Sequence, residues 1–284
     1  MKRPQEIAQD VQSTSTLVEL TSIFEGIASM HIAQIKNQVL QAQGFFSELW
    51  HIYTQIRVDS AFHFGRSQTE QPVEDRELFI VITAEGGFSG DIDQRLITWM
   101  LSQHDSNKQD IIVIGHHGAI QLAQKGISIK KYFKLPEKDA NINVEPLVKE
   151  VQKYKSTSVF YQTYVSLMAQ DVKRISLSAV VQEQGLQAGQ SDEVISEKNY
   201  IFEPSTFAVI DHLERSMLQI ALSQVILESK LAQYASRFKA MSAAHRRADD
   251  SYNDFKLQFN RAKRSLKDER LKEIINGIRK VGVA

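Results

Sequence analysis

No cysteine occurs among the chain's 284 residues. That excludes disulfides, thiolate nucleophiles and zinc–thiolate centres, and it fits a reducing compartment. An excess of charge of one sign is also missing, because 34 basic residues meet 34 acidic ones. No net field therefore draws nucleic acid or an anionic membrane. No apolar run nears the roughly 20 residues that span a bilayer. The N-terminal MKRPQEIAQDVQ lacks the apolar core and cleavage pattern of a secretory signal, so work at a membrane requires another subunit as anchor. The most informative gap is in glycine and proline. After Pro204 neither occurs until Gly277. An uninterrupted stretch of that kind reads as one very long helix, on the order of 100 Å at about 1.5 Å per residue.

Its apolar pattern has a 3.5-residue period. Leu213, Met217, Ile220, Gln224, Leu227, Leu231, Tyr234, Phe238, Met241, His245, Ala248, Tyr252, Phe255, Phe259, Ala262 and Leu266 follow one another at alternating steps of four and three. Such a repeat keeps one seam turned toward a partner helix. The other end of the chain offers that partner. No proline occurs from Gln5 to about His63. Leu17, Leu20, Phe24 and Ile27 start a heptad seam there. Ile32, Ile35, Val39, Ala42, Phe46, Leu49, Tyr53 and Ile56 continue it, shifted by one residue near Gly26 and Met30. Two terminal helices with matching seams predict an antiparallel pair, with pairing between molecules as the alternative.

The middle alternates strand and helix. Glu77–Ala84, Asp110–Gly115, Ser158–Val165 and Val172–Val181 read as strands. Ile92–Gln103 and Val144–Tyr154 read as helices, Gln68–Asp75 as a connector and Gln182–Lys198 as a polar loop. The fold class is therefore α/β: a long antiparallel coiled coil of N- and C-terminal helices with an inserted Rossmann-like α/β domain. The expected divisions are 1–67, 68–205 and 206–284.

The segment AEGGFSGDID (84–93) follows the first strand and resembles a phosphate-binding turn. A Walker loop needs a lysine and a hydroxyl after its last glycine, yet Asp91 follows Gly90. The dinucleotide fingerprint G-x-G-x-x-G is absent too, and Glu85, Asp91 and Asp93 repel phosphate at close range. Gly86, Gly87 and Gly90 thus read as a structural turn, with Ser89 or Asp91 as helix cap. His116 and His117 are adjacent after a strand, but no carboxylate cluster sits at ligand spacing. No G-x-S-x-G elbow or H-E-x-x-H helix occurs. No catalytic, metal or cofactor residue is assigned. On the long helix Arg237, Lys239, Arg246, Arg247, Arg261, Lys263 and Arg264 form a basic stripe, read either as a solvated face or as a contact for acidic loops.

The C-terminal third resembles the gamma subunit of rotary F-type ATP synthases. YIFEPS (200–205), ILESKLAQYASRFKAMSAA (226–244) and FNRAKR (259–264) match that family's motifs in order and spacing. AEGGFSG is similar to the family's S-D-R-G-L-C-G, and IGHHGAI (114–120) sits at its G-x-K-G turn. The N-terminal helix departs: LTSIFEGIASMH (20–31) stands where I-T-K-A-M-x-M-V-A-A-x-K is usual. The lysines become Ser22 and His31, and Glu19 replaces a basic residue. The chain is a divergent member on this reading.

The resemblance implies a central rotor shaft inside a ring of alpha and beta subunits. It further implies contacts to the epsilon subunit and the membrane c-ring, and a peripheral position on the cytoplasmic side of a bacterial cell membrane. It implies no covalent chemistry on this chain, no cofactor, and a glycine turn that shapes the inserted domain. Arg237, Lys239, Met241, Arg246 and Arg247 become the expected shaft contacts, although Met241 lies on the seam. Two other classes compete: a coiled-coil interaction scaffold with an α/β head, unrelated to ATP synthesis, and a nucleotide-sensing enzyme using the glycine turn.

Overall fold

The computed structural model describes residues 3–56, 73–136, 142–177, 203 and 205–281. The elements are α1 (Pro4–Ile56), β1 (Glu74–Ile82), α2 (Ile92–Leu101), β2 (Gln109–Ile114), α3 (His116–Gln124), β3 (Lys131–Phe133), α4 (Glu145–Val151), β4 (Tyr154–Tyr164), β5 (Gln170–Ser176) and α5 (Thr206–Val281). The chain forms two compact units, one of residues 1–27 and 238–284, the other of residues 28–237. The terminal helices contribute to both.

In the larger unit α1 and α5 run antiparallel. Phe46 packs with Met217 and Ala221, and Ile35 with Leu227 and Leu231. The His31 and Tyr234 rings stack 4.5 Å apart, while Tyr53 donates to Glu214 Oε1 at 3.1 Å. As α1 numbers rise, α5 numbers fall, which is the pairing the heptads predict. Side chains at Ile32, Ile35, Val39, Ala42, Phe46, Leu49 and Tyr53 are buried or half-buried, as that seam requires. The same holds on α5 for every seam position from Leu213 to Tyr234.

The smaller unit bears out the α5 seam as far as Ala262, leaves its last position, Leu266, exposed, and corrects the α1 seam. On α5, Phe238, Met241, His245, Ala248, Tyr252, Phe255, Phe259 and Ala262 are buried or half-buried. On α1 the inward residues are Ile7, Val11, Thr14, Val18, Thr21 and Glu25. Their steps of four and three lead to Ala28 and Ile32 with no shift near Gly26 or Met30. Leu17, Leu20, Phe24 and Ile27, expected inside, are exposed. The physical reason lies in the threonines. Thr14 Oγ1 donates to the Asp10 carbonyl at 2.7 Å, and Thr21 Oγ1 to the Leu17 carbonyl at 2.7 Å. With the hydroxyl folded back on its own helix, a threonine presents its methyl group and fills a seam. His245 Nδ1 then lies 3.3 Å from Thr21 Oγ1 and 3.2 Å from the Val18 carbonyl. The carbonyl can only accept, so Nδ1 carries the proton.

The sheet has the order β3-β2-β1-β4-β5. β1 pairs parallel with β2 and β4, and β2 with β3, while β5 joins β4 antiparallel. Helices cover both faces, which is why β1 carries the unbroken apolar run LFIVI. Phe79 and Val81 meet Leu96, Ile97 and Met100 of α2 and Leu122 of α3. Leu78, Ile80 and Ile82 meet Val151 of α4 and Leu218, Leu222, Val225 and Ile226 of α5. The inserted layer is thus an open, mostly parallel α/β sheet.

Element limits shift modestly from the sequence reading. Residues 152–154, expected to end a helix, lead into β4, whose buried Tyr154 begins the strand. α3 and the short β3 were not anticipated. The 182–198 loop, residues 178–181 of the last expected strand and most of the 68–75 connector lie outside the described residues.

Candidate functional site: a glycine turn docked on the long helix

The turn after β1 meets α5, so two sets of residues singled out in the sequence come together. Ser236 Oγ donates to the Ser89 carbonyl at 2.6 Å, and Arg237 Nε to the Gly87 carbonyl at 3.3 Å. A second guanidinium nitrogen of Arg237 lies 3.4 Å from Ser89 Oγ. The same guanidinium sits over the Tyr234 ring, 5.2 Å from its centre. The left-handed backbone falls on Phe88 and Gly90, with φ of 67° and 66°, not on Gly86 or Gly87. A Cβ at Gly90 would lie 3.4 Å from Ser236 Oγ, and one at Gly86 would lie 4.0 Å from Arg237. The anticipated cap is not made: Asp91 occupies the N-cap of α2 with no side-chain hydrogen bond. Ser89 is buried, and its carbonyl and hydroxyl face α5.

Behind the turn runs a buried polar chain that the sequence did not reveal. Asp93, 1 % exposed, accepts from the Ala84 amide at 3.2 Å, Gln162 Nε2 at 2.6 Å and His117 Nδ1 at 2.8 Å. Gln162 Oε1 accepts in turn from Ser229 Oγ and from Gln233 Nε2, the latter at 3.3 Å. α2, α3, β4 and α5 are joined through one carboxylate and one amide. A doubly wound sheet opens its ligand crevice where the strand order reverses, at the carboxyl ends of the strands. Here that place lies between β1 and β4, and Ser229 and Gln233 of α5 occupy it. The Asp93 hydrogen bond, working against partial burial, raises the His117 imidazole above its usual value. His116 and His117 come after β2, as expected, and open α3. His116 packs edge-on against Tyr132.

A second ionisable cluster, of Glu74, Asp110, Lys130 and Tyr154, lies at the other end of the sheet. Burial is the main cause pushing the Tyr154 phenol up to about 12. Hydrogen bonds with Tyr154, Asp110 and Glu74 overcome burial and raise Lys130. These groups pin strand ends together.

Of the expected shaft contacts, Arg237 is engaged as above. Met241 is buried on the seam of the smaller unit. Lys239, Arg246 and Arg247 are exposed, and Arg247 Nε reaches back to the Ala243 carbonyl at 3.2 Å. No group of three or more metal-ligating side chains occurs among the described residues. Nor is any described helix long and apolar enough to cross a membrane.

A family model described as ATP synthase matches residues 3–280. The ATP synthase gamma chain of Mycoplasmoides gallisepticum is 23% identical over 291 residues, covering 99% of this chain and 100% of the relative. That of Pelotomaculum thermopropionicum is 24% identical over 285 residues, covering 96% of each. Among solved structures, a chain of the Euglena gracilis mitochondrial ATP synthase superposes with a TM-score of 0.65 at 12% identity, over 98% of this chain and 95% of the other. A chain of the rotor from the same source gives 0.60 at 13% identity, over 92% and 99%.

Proposed function

Because the chain belongs to the ATP synthase gamma chain family, we propose that it is the central rotor shaft of an F-type ATP synthase. In that role it couples ion-driven turning of a membrane ring to ATP synthesis or hydrolysis in a ring of alpha and beta subunits. The observation that carries this reading is the antiparallel pairing of chain ends, with Thr21 opposite His245 in one unit and His31 opposite Tyr234 in the other. Two helices locked by interdigitating side chains resist twisting better than one. Torque needs that stiffness. It also needs a fixed joint between shaft and head, and the bonds from Ser236, Arg237, Ser229 and Gln233 supply one.

The shaft performs no covalent step. It offers different side chains to each catalytic subunit and so favours a different member of that subunit's set of conformations. The energy delivered is the difference in contact free energy between those conformations. Arg237, Lys239, Arg246 and Arg247 provide cationic contacts on this reading, and Met241 supports them from the seam. The α/β sheet domain faces the epsilon subunit and the c-ring. Association with a membrane, on the cytoplasmic side in a bacterium, is through those partners. The division at 67/68 and 205/206 then separates shaft from head.

Co-expression with the alpha and beta subunits of the same genome tests the reading. The expected result is a complex whose ATPase activity depends on this chain. Failure to recover such a complex overturns it.

A further inference from the structure

One cavity in the larger unit is lined by hydrogen-bonding groups that the fold itself does not use. Its volume is about 560 Å³, and sites for small ligands run from about 300 to 1,000 Å³. α1 and α5 form two of its sides, and residues 142–145 at the start of α4 supply a third. Gln38 of α1 and Gln219 and Ser223 of α5 line it half-buried, while Gln41 and Asn143 stand exposed at its rim. Gln38 Oε1 is shielded from water and has no hydrogen-bond partner. An orphaned buried acceptor costs stability unless a ligand answers it. The buried amides of Gln162 and Gln233, by contrast, are bonded to each other.

The lining also selects by charge. From Asn37 to Ser47 α1 has no charged residue, and neither has α5 from Ser216 to Leu227. Phe46 against Met217 and Ala221 sets these two stretches side by side. A solvated pair of helices normally carries charges on such faces. The one ionised side chain on the wall, Glu145, is held by Lys149 at 2.7 Å. No lysine or arginine among the described residues lines the cavity, so nothing on its wall answers a phosphate or a carboxylate. Ala42, Phe45, Ile220 and Leu227 make the apolar part of the wall. Phe45 is 57 % exposed, which leaves its ring open to a flat partner.

From this lining we infer that the cavity binds an uncharged nucleobase, free or as a nucleoside. A base gathers its donors and acceptors on its edge and leaves both faces bare. A carboxamide meets such an edge with a donor and an acceptor at once, as glutamine and asparagine do with adenine. The bare faces suit Phe45 and the aliphatic wall. A sugar carries hydroxyls around its whole rim, and the apolar half of the wall has no group to receive them. The site is separate from the glycine turn after β1. It goes beyond the rotor-shaft reading and stands without it.

Isothermal titration of the full chain with adenosine, AMP and sucrose tests the site. Adenosine should bind with a Kd of about 1 mM or tighter, AMP no tighter than adenosine, and sucrose not at all. Gln38→Leu should weaken adenosine tenfold or more, yet leave the thermal melt of the free chain unchanged or higher, because leucine removes an acceptor that has no partner. A glutamine that served only the fold would lower the melt instead. Phe45→Ala, at an exposed position, should weaken adenosine several-fold. No heat from adenosine at several times the expected Kd overturns the inference. So does AMP binding ten times tighter than adenosine, since phosphate is then the group recognised, and so does sucrose binding as well as adenosine. Unchanged adenosine binding by both variants overturns it too. None of these titrations involves the alpha or beta subunits, so failure of the rotor-shaft reading is a separate result.

Discussion

Replacing Asp93 by asparagine changes one oxygen to an amide nitrogen at the centre of the buried chain. All three of its partners are donors: the Ala84 amide, Gln162 Nε2 and His117 Nδ1. Asparagine has only one accepting oxygen, so its amide nitrogen either faces the Gln162 donor or forces a neutral His117 ring into the tautomer whose Nδ1 accepts. If its nitrogen turns to Gln162, that side chain has to flip. The flipped amide then opposes Gln233 Nε2, which now bonds Gln162 Oε1 at 3.3 Å. On that side the mismatch moves along the chain; on the His117 side the tautomer change relieves it, and what is lost is the charge-assisted bond between carboxylate and imidazolium. A buried polar group left without a partner costs about 1–3 kcal/mol, more where charge is lost. We expect a loss of about 1–2 kcal/mol, which for a unit of this size lowers Tm by roughly 2–8 °C. Urea unfolding followed by circular dichroism measures it. A pH signature accompanies the loss. The folded state holds the His117 proton more tightly than the unfolded chain, whose imidazole titrates near about 6.5. The pair's contribution is therefore complete below that pH and disappears as pH rises through the elevated folded value. Asp93→Asn removes that slope. A variant within about 0.5 kcal/mol of the parent, or one that keeps the slope, refutes the account of the joint.

Three further outcomes follow from particular contacts. Val18→Asp places a carboxylate on the seam and should cost about 2 kcal/mol or more in urea unfolding. Leu17→Asp, on the outer face, should cost almost nothing; the reverse order restores the shifted seam. Gly115→Ala sets a Cβ 2.1 Å from the Thr83 carbonyl oxygen at φ +103°, so about 3 kcal/mol or more is lost and soluble yield falls. Gly126→Ala, with open space at φ +69°, should cost only about 1–2 kcal/mol, read by the same thermal melt. Arg237→Ala removes the bond to the Gly87 carbonyl and the stacking on Tyr234; urea unfolding should show a loss of about 1 kcal/mol, of which a double-mutant cycle with Tyr234→Ala isolates the stacking, about 0.5 kcal/mol.

The long helices, the α5 seam and the alternation in the middle were legible because each rests on a period within one stretch of chain. The run FIVI at 79–82 announced a strand, and the structure covers it on both faces. The α1 seam misled for the opposite reason. Large residues such as Leu17 and Phe24 outweigh threonines in any apolar pattern, yet Thr14 and Thr21 face inward with their hydroxyls returned to the backbone. The absence of lysine and arginine between Pro4 and Ile35 is visible in the sequence and marks the outer face as unusual. The polar chain left no local signal. Asp93, His117, Gln162 and Ser229 are far apart in sequence and lie on four elements, so only the strand order brings them together. Gly115 and Gly118 hold α3 tightly against Thr83, a closeness that spacing alone does not express.

Rotation is the claim on which the account depends. A gold particle is attached to the sheet domain of this chain, the alpha and beta subunits of its own complex are fixed to a glass surface, and ATP is added. The account predicts that the particle turns continuously in one direction while ATP is consumed. Undirected wobbling with undiminished hydrolysis contradicts it.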